Sequence, residues 1–176
     1  LDIFLLERVC FAVLKRQSPK CVKKCSLAVI VISLGISMIL GIGTDITDGR
    51  RIEAVLNRHK DKFAKRIFTK AELLAANKTA NKVYFLAKRF AVKEAVYKAL
   101  SSSGIAGCGW REAETLNRLN GAPFVNLTGR CKTALETITP DGYKAKVSVS
   151  LSDDRPYALA FVVISAVPAD WVKPNE

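Results

Sequence analysis

Glu94 and Lys98 stand four residues apart in the stretch Phe85–Leu100, FLAKRFAVKEAVYKAL. That spacing puts a carboxylate and an ammonium on one face of a helix. Arg89 and Lys93, also four apart, form a second strip beside them. A carboxylate, an ammonium and a guanidinium on one helix can hold a metal and a polyphosphate; the same charges also suit an ordinary solvated helix face. A further acid, Asp45, closes the apolar run Met38–Thr47, MILGIGTDIT. An acid in that place serves as a turn residue or helix N-cap, or as a metal ligand held at a sheet edge. Asp45 and Glu94 are 49 residues apart, so only the fold can bring them together.

The elements that must position these residues follow from pattern. Phe85, Leu86, Phe90, Val96, Tyr97 and Leu100 recur at helical spacings with no Gly or Pro between them, which predicts a long amphipathic helix over Asn81–Leu100. Ser101-Ser102-Ser103-Gly104 ends it, with Gly104 as a left-handed terminator. MILGIGTDIT reads as a buried strand. Asp48–Arg66 reads as a basic helix, with seven Lys/Arg against three Asp/Glu. Ile52, Leu56 and Phe63 should face its core side. Arg51, Val55, Arg58 and Lys62 fall on a neighbouring face, basic with one apolar contact. Such a face suits docking onto an acidic helix, or is simply solvated. Thr69-Lys70-Ala71-Glu72 is a capping box that opens a short helix through Asn77. Trp110–Leu119 and Phe124–Leu127 are read as strands joined by a type I′ turn at Asn120-Gly121. A helix is expected over Gly129–Ile138, a turn at Pro140-Asp141-Gly142, and a hairpin of Lys144–Ser152 with Tyr157–Ala166. The tail Val167–Glu176 is expected to be loose. Helices enclosed by mostly antiparallel strands make an α+β domain.

The 176-residue chain is 49% apolar and 25% charged, which suits one domain with a real core. Its formal net charge is +12, which implies an acidic partner: nucleic acid, an anionic membrane, a phosphorylated small molecule or an acidic protein. Five cysteines occur without CxxC or Cys/His spacing, so free thiols in a reducing cytoplasm are the default. Residues 1–37 carry +4 of the charge and precede the chain's one methionine, Met38. Their basic residues followed by the apolar run from Leu27 to Ile42 have the shape of a signal anchor. That run ends in the Asp45 strand, and a segment cannot both cross a bilayer and form that strand. The expectation is therefore an upstream extension over 1–37 and a working domain over 38–176, the alternative being a membrane tether.

GIGTDI, RIFTKAE (Arg66–Glu72), FLAKRFAVKEAVYKAL and VSLSDDRPYALAFVV (Val149–Val163) resemble, in order and spacing, the short 4'-phosphopantetheinyl transferases, the holo-[acyl-carrier-protein] synthase family. The resemblance covers about Met38 to Ala166. It implies a 4'-phosphopantetheinyl transferase-like fold, with a long central helix packed on mostly antiparallel strands. It also implies transfer of the pantetheine phosphate of coenzyme A to a serine of apo acyl carrier protein, in the cytoplasm, as part of fatty acid biosynthesis. Asp45 and Glu94 fall at the family's Mg2+ positions, and magnesium commonly takes one or two protein carboxylates plus phosphates and waters. Lys98 falls where the family uses a lysine on the pyrophosphate, and Glu94 and Lys98 are the expected catalytic pair. Glu94 or a metal-bound water would deprotonate the serine. Arg89, Lys93 and Gly104 match positions around coenzyme A, with Arg89 assigned to the 3'-phosphate. Arg51, Val55, Arg58, Lys62 and Arg66 would meet the carrier's acidic helix.

Three departures stand out. Asp153 replaces the histidine many members carry, so a histidine base is not available there. Ser101-Ser102-Ser103-Gly104 replaces a G-T-G after the central helix. Thr47 stands where two-lobed relatives have another acid, which matches the short branch, whose members are homotrimers with the site between subunits. The competing reading is a basic nucleic-acid-binding module. It lacks a recognisable nucleic-acid motif and leaves Asp45 and Glu94 without a role.

Overall fold

The computed structural model describes residues 37–171; the expected extension over 1–37 lies outside the described residues apart from Ser37. β1 (Met38–Asp48) runs into α1 (Gly49–Ile67), the short α2 (Lys70–Asn77) and the central α3 (Lys82–Ala99). A small hairpin, β2 (Ala113–Asn117) and β3 (Pro123–Leu127), leads to α4 (Gly129–Ile138). A long hairpin, β4 (Tyr143–Asp154) and β5 (Tyr157–Pro168), completes the domain. β5 lies between β1 and β4 in one antiparallel sheet, and β2–β3 forms a second. This is the expected α+β arrangement.

Alternation along β5 creates the main core. Ala158, Ala160, Val162, Ile164 and Ala166 are all fully buried and face α3, whereas Tyr157, Leu159 and Phe161 are 40–46% exposed on the other side. Inner β5 residues pack with Val92, Ala95, Val96 and Ala99 of α3 and with Cys131 and Ala134 of α4. A second cluster joins Ile52 and Ile67 of α1, Ala76 of α2 and Leu86 and Ala87 of α3.

Side chains close the helix ends. Asp48 caps α1 by accepting from the Arg50 N–H at 2.9 Å, and Arg50 grips the same carboxylate through its guanidinium. Asn81 caps α3 at the Tyr84 N–H. Gly104 takes a left-handed φ of 70° after a turn of 3-10 helix at Ser101–Ser103.

Several expectations change. β1 is an edge strand, not a buried one, and Ile39, Ile42 and Ile46 are more than half exposed on its outer face. Trp110–Glu112 is a 3-10 turn, so β2 begins at Ala113. The β2–β3 connection spans residues 118–122, because Asn117 pairs with Pro123; it is a longer loop, not a two-residue type I′ turn. Val167 and Pro168 continue β5 instead of opening a loose tail. α3 is enclosed on most of its surface, and even Arg89 and Lys93 are buried, while Tyr97 is half exposed. Sheet on one side and α1, α2 and β2 on the others leave it little solvent.

Candidate active site

Gly41, Gly43, Asp45 and Thr47 share the inner face of β1, because side chains alternate along a strand. The two glycines let that strand lie directly on α3. A Cβ on Gly43 would stand 1.9 Å from the Ala95 carbonyl oxygen, and one on Gly41 would stand 2.1 Å from that of Ala99. Ala95 and Ala99 lie one helical turn apart and are buried, so both partners are small at the contact. The same face carried two residues further brings Asp45 to Glu94 and Lys98.

Both Asp45 oxygens are engaged. Lys98 Nζ donates to Oδ1 at 2.9 Å and to the Thr44 carbonyl at 2.8 Å. The Thr47 hydroxyl donates to Oδ2 at 2.9 Å. Asp45 and Glu94 line one cavity of about 340 Å3, together with Thr47, Phe90 and the α1 residues Arg51, Val55 and Phe63. Partial burial raises the Glu94 carboxyl above its usual range; the Asp45 carboxylate adds to this and Lys98 opposes it. Two carboxylates that repel across a cavity form a place for a cation. Among the described residues no group of three or more His, Cys, Asp and Glu forms a metal cage. Two carboxylates suit a hard cation that completes its shell with water and phosphate.

Arg89 opens onto a second cavity, of about 320 Å3, with Lys88, Asn117 and Gly121. Its guanidinium lies 4.0 Å from the centre of the Phe85 ring, and one Nη donates to Asn117 Oδ1. Its Nε is buried with no hydrogen-bond partner. A buried guanidinium with an unused donor beside a polar cavity is suited to an anion. Lys88 is held at 2.7 Å by Asp153, so the acid found in place of a histidine pairs with a lysine at this cavity.

Lys93 does not share that setting. It is 3% exposed, and its Nζ donates to Glu72 at 2.9 Å and to the Ala113 carbonyl at 2.8 Å. Glu72, fully buried, also accepts from the Thr69 and Thr115 N–H groups. The capping box at Thr69 is therefore one half of a buried junction of α2, α3 and β2. Of the two basic residues expected around coenzyme A, Arg89 opens onto a polar cavity, whereas the charge of Lys93 is paired with Glu72 inside the protein. Gly104 is open to solvent and lines neither of these two cavities.

Arg51, Arg58, Lys62 and Arg66 are exposed along α1, and Val55 is half-buried among them. The basic face is thus continuous, through Arg51 and Val55, with the carboxylate cavity. Sequence reasoning missed Thr47, Asn117, Lys88 and Glu72 as parts of these sites. Thr47 had a signal, since i and i+2 on a strand share a face. Asn117 and Glu72 had none, because their partners lie on other elements.

A family model described as the 4'-phosphopantetheinyl transferase superfamily matches residues 41–162. A holo-[acyl-carrier-protein] synthase of Phenylobacterium zucineum is 46% identical over 132 residues, 75% of this chain and 96% of that protein. The crystal structure of holo-[acyl-carrier-protein] synthase from Neisseria meningitidis aligns with a TM-score of 0.62 at 38% identity, covering 72% of this chain and 98% of that one. A holo-(acyl-carrier-protein) synthase from Bacillus anthracis, solved in complex with CoA (3',5'-ADP), aligns with a TM-score of 0.55 at 31% identity, covering 73% and 97%.

Proposed function

The chain belongs to the 4'-phosphopantetheinyl transferase superfamily, and we propose that it moves the 4'-phosphopantetheine group of coenzyme A to a serine of apo acyl carrier protein. The products are holo carrier, for fatty acid biosynthesis, and adenosine 3',5'-bisphosphate. The observation that carries the assignment of the centre is the convergence of Asp45, Glu94 and Lys98 beside one cavity.

In this reading Asp45 and Glu94 hold Mg2+, which when bound supplies charge neutralisation for the phosphate oxygens. Thr47 and Lys98 fix the Asp45 carboxylate. The Lys98 ammonium, 49% exposed at its side chain, stabilises negative charge on the departing pyrophosphate oxygen and can return a proton to it. Glu94, its carboxyl raised by burial and by Asp45, is suited to accept the proton of the attacking serine. Arg89 and Lys88, with the Asn117 amide, take the 3'-phosphate of the nucleotide, and the unpartnered Nε of Arg89 supports that role. The carrier's acidic helix lies on Arg51, Val55, Arg58, Lys62 and Arg66, which delivers its serine to the adjoining cavity.

A homotrimer is part of the same proposal. It is supported by the apolar outer sheet face, where Ile42, Ile46, Leu159 and Phe161 are 40–62% exposed and would gain from burial against a second copy. A cytoplasmic setting fits the substrates and the free thiols of Cys108 and Cys131. Among the described residues no helix is long and apolar enough to cross a membrane. The nucleic-acid alternative loses its main support, since basic residues of α1 line up beside the carboxylate cavity.

The test is intact-mass analysis of apo carrier incubated with this protein, coenzyme A and Mg2+. Gain of one phosphopantetheine, lost with EDTA, is expected. No gain from folded protein that still binds coenzyme A would reject the transfer.

A further inference from the structure

Glu94 also borders a third cavity, of about 210 Å3, which the transfer chemistry leaves unused. Its wall includes Tyr97 and Trp110 and two thiols, Cys108 and Cys131. These come from separate elements: Cys108 from the loop after α3 and Cys131 from the first turn of α4. Three contacts draw the two backbones together. Glu112 Oε2 accepts from the N–H of Gly109, next to Cys108, at 2.9 Å, and from the N–H of Cys131 itself at 3.3 Å. Arg130, the neighbour of Cys131, reaches the carbonyl of Gly107, the other neighbour of Cys108. Both side chains line the same cavity, near enough for the Cys108 thiol to act on that of Cys131. Cys108 sits between two glycines, so its backbone has freedom to adjust.

We propose that Cys108 and Cys131 form a thiol–disulfide exchange site for low-molecular-weight disulfides, opening on the cavity beside Glu94. Cys108, half-buried in the cavity wall, attacks one sulfur of a disulfide R–S–S–R. A Cys108–S–S–R bond forms, the R–S–S–R bond breaks, and one R–SH leaves with the proton of the Cys108 thiol. Cys131 then attacks the Cys108 sulfur, forms the Cys108–Cys131 bond and expels the second R–SH with its own proton. The protein loses two hydrogens and the external disulfide is reduced to two thiols. Burial and the adjacent thiol hold Cys131 well above the ordinary thiol range. A raised thiol is a poor first nucleophile toward a soluble disulfide, which leaves that step to Cys108, and Cys131 on the same cavity wall becomes the resolving thiol.

The test uses the full chain, with glutathione disulfide as probe and peptide-level mass spectrometry after alkylation to separate these thiols from Cys10, Cys21 and Cys25. Expected in the unchanged protein is a Cys108–Cys131 linkage with loss of two hydrogens, reversed by dithiothreitol. In Cys131→Ser a stable glutathione adduct should accumulate on Cys108, and turnover should fall at least tenfold until a thiol is added, because the adduct occupies the cavity beside Glu94. In Cys108→Ser, Cys131 should stay unmodified. Separate alkylation of Cys108 and Cys131 after exposure to glutathione disulfide, or an adduct first on Cys131, would overturn the proposal. The readout is covalent mass, so it stands or falls independently of whether Asp45 and Glu94 hold a metal.

Discussion

Replacing Lys93 by methionine separates its two possible roles, coenzyme contact and internal support. Methionine keeps an unbranched side chain but removes the ammonium. Glu72 would then be a fully buried carboxylate without its cation, left with the Thr69 and Thr115 N–H groups. The Ala113 carbonyl would also lose its donor. Breaking a buried ion pair by removing one partner costs about 3–5 kcal/mol. The two remaining N–H groups offset part of this, so a loss of about 3 kcal/mol in urea unfolding is expected. Glu72→Gln combined with Lys93→Met removes the orphaned charge while keeping an acceptor, and should recover at least about 1 kcal/mol of that loss. The KM for coenzyme A should stay within about threefold in both variants, because Lys93 is enclosed. A stability loss below about 1 kcal/mol, with KM for coenzyme A raised about tenfold and not restored in the double variant, would refute the internal role.

Gly43→Ala should cost about 3 kcal/mol or more in chemical unfolding, because its Cβ meets a helix carbonyl and not a movable side chain; near-parental stability would show that β1 does not rest on α3. Glu94→Gln should abolish Mg2+-dependent transfer and also change the pH dependence of melting without metal. A carboxyl raised in the folded state contributes stability below its unfolded value, near 4.5, and loses it as pH rises through the folded value. The variant should therefore melt above the parent at pH 8, with the gap closing toward pH 4; a lower Tm at pH 8 would contradict the burial and Asp45 repulsion invoked. Arg58→Glu should raise KM for the carrier at least tenfold at low salt with little change for coenzyme A, and equal effects on both substrates would remove α1 as the docking face.

What the sequence made legible was local. The capping box at Thr69, the left-handed Gly104 and the shared helix face of Glu94 and Lys98 follow from short-range rules, and the four helices lie near their expected bounds. Alternation in Tyr157–Ala166 was enough for a hairpin strand but not for its faces, since Tyr157, Leu159 and Phe161 lie on the exposed side and the smaller Ala158 and Ala160 on the buried one. What stayed hidden was set by partners far along the chain. Arg89 and Lys93 share a spacing, but Glu72 draws Lys93 inward while Asn117 leaves Arg89 at a cavity. Nothing within a helical turn distinguishes them. Trp110 was read as the start of a strand, yet it stacks on Phe90 at 5.2 Å from a 3-10 turn closed by Glu112. Tertiary packing overrode β-propensity there.

The glycines of GIGTDI are where local pattern and long-range geometry meet. Glycine in a strand weakens it by itself, since it adds backbone entropy and packs nothing. Here the missing side chains let two backbones touch, and Ala95 and Ala99 complete the contact from the helix. A bulkier residue at either glycine would lift β1 from α3 and carry Asp45 away from Lys98 and from the cavity it shares with Glu94. Asp48 then ends the strand and caps α1, so the strand that sets the carboxylate also sets where the basic helix begins. Arg51 and Val55 consequently reach the wall of the carboxylate cavity. One short segment thus couples the spacing of two acids to the position of a docking face, and a lesion at Gly43 should disturb both together.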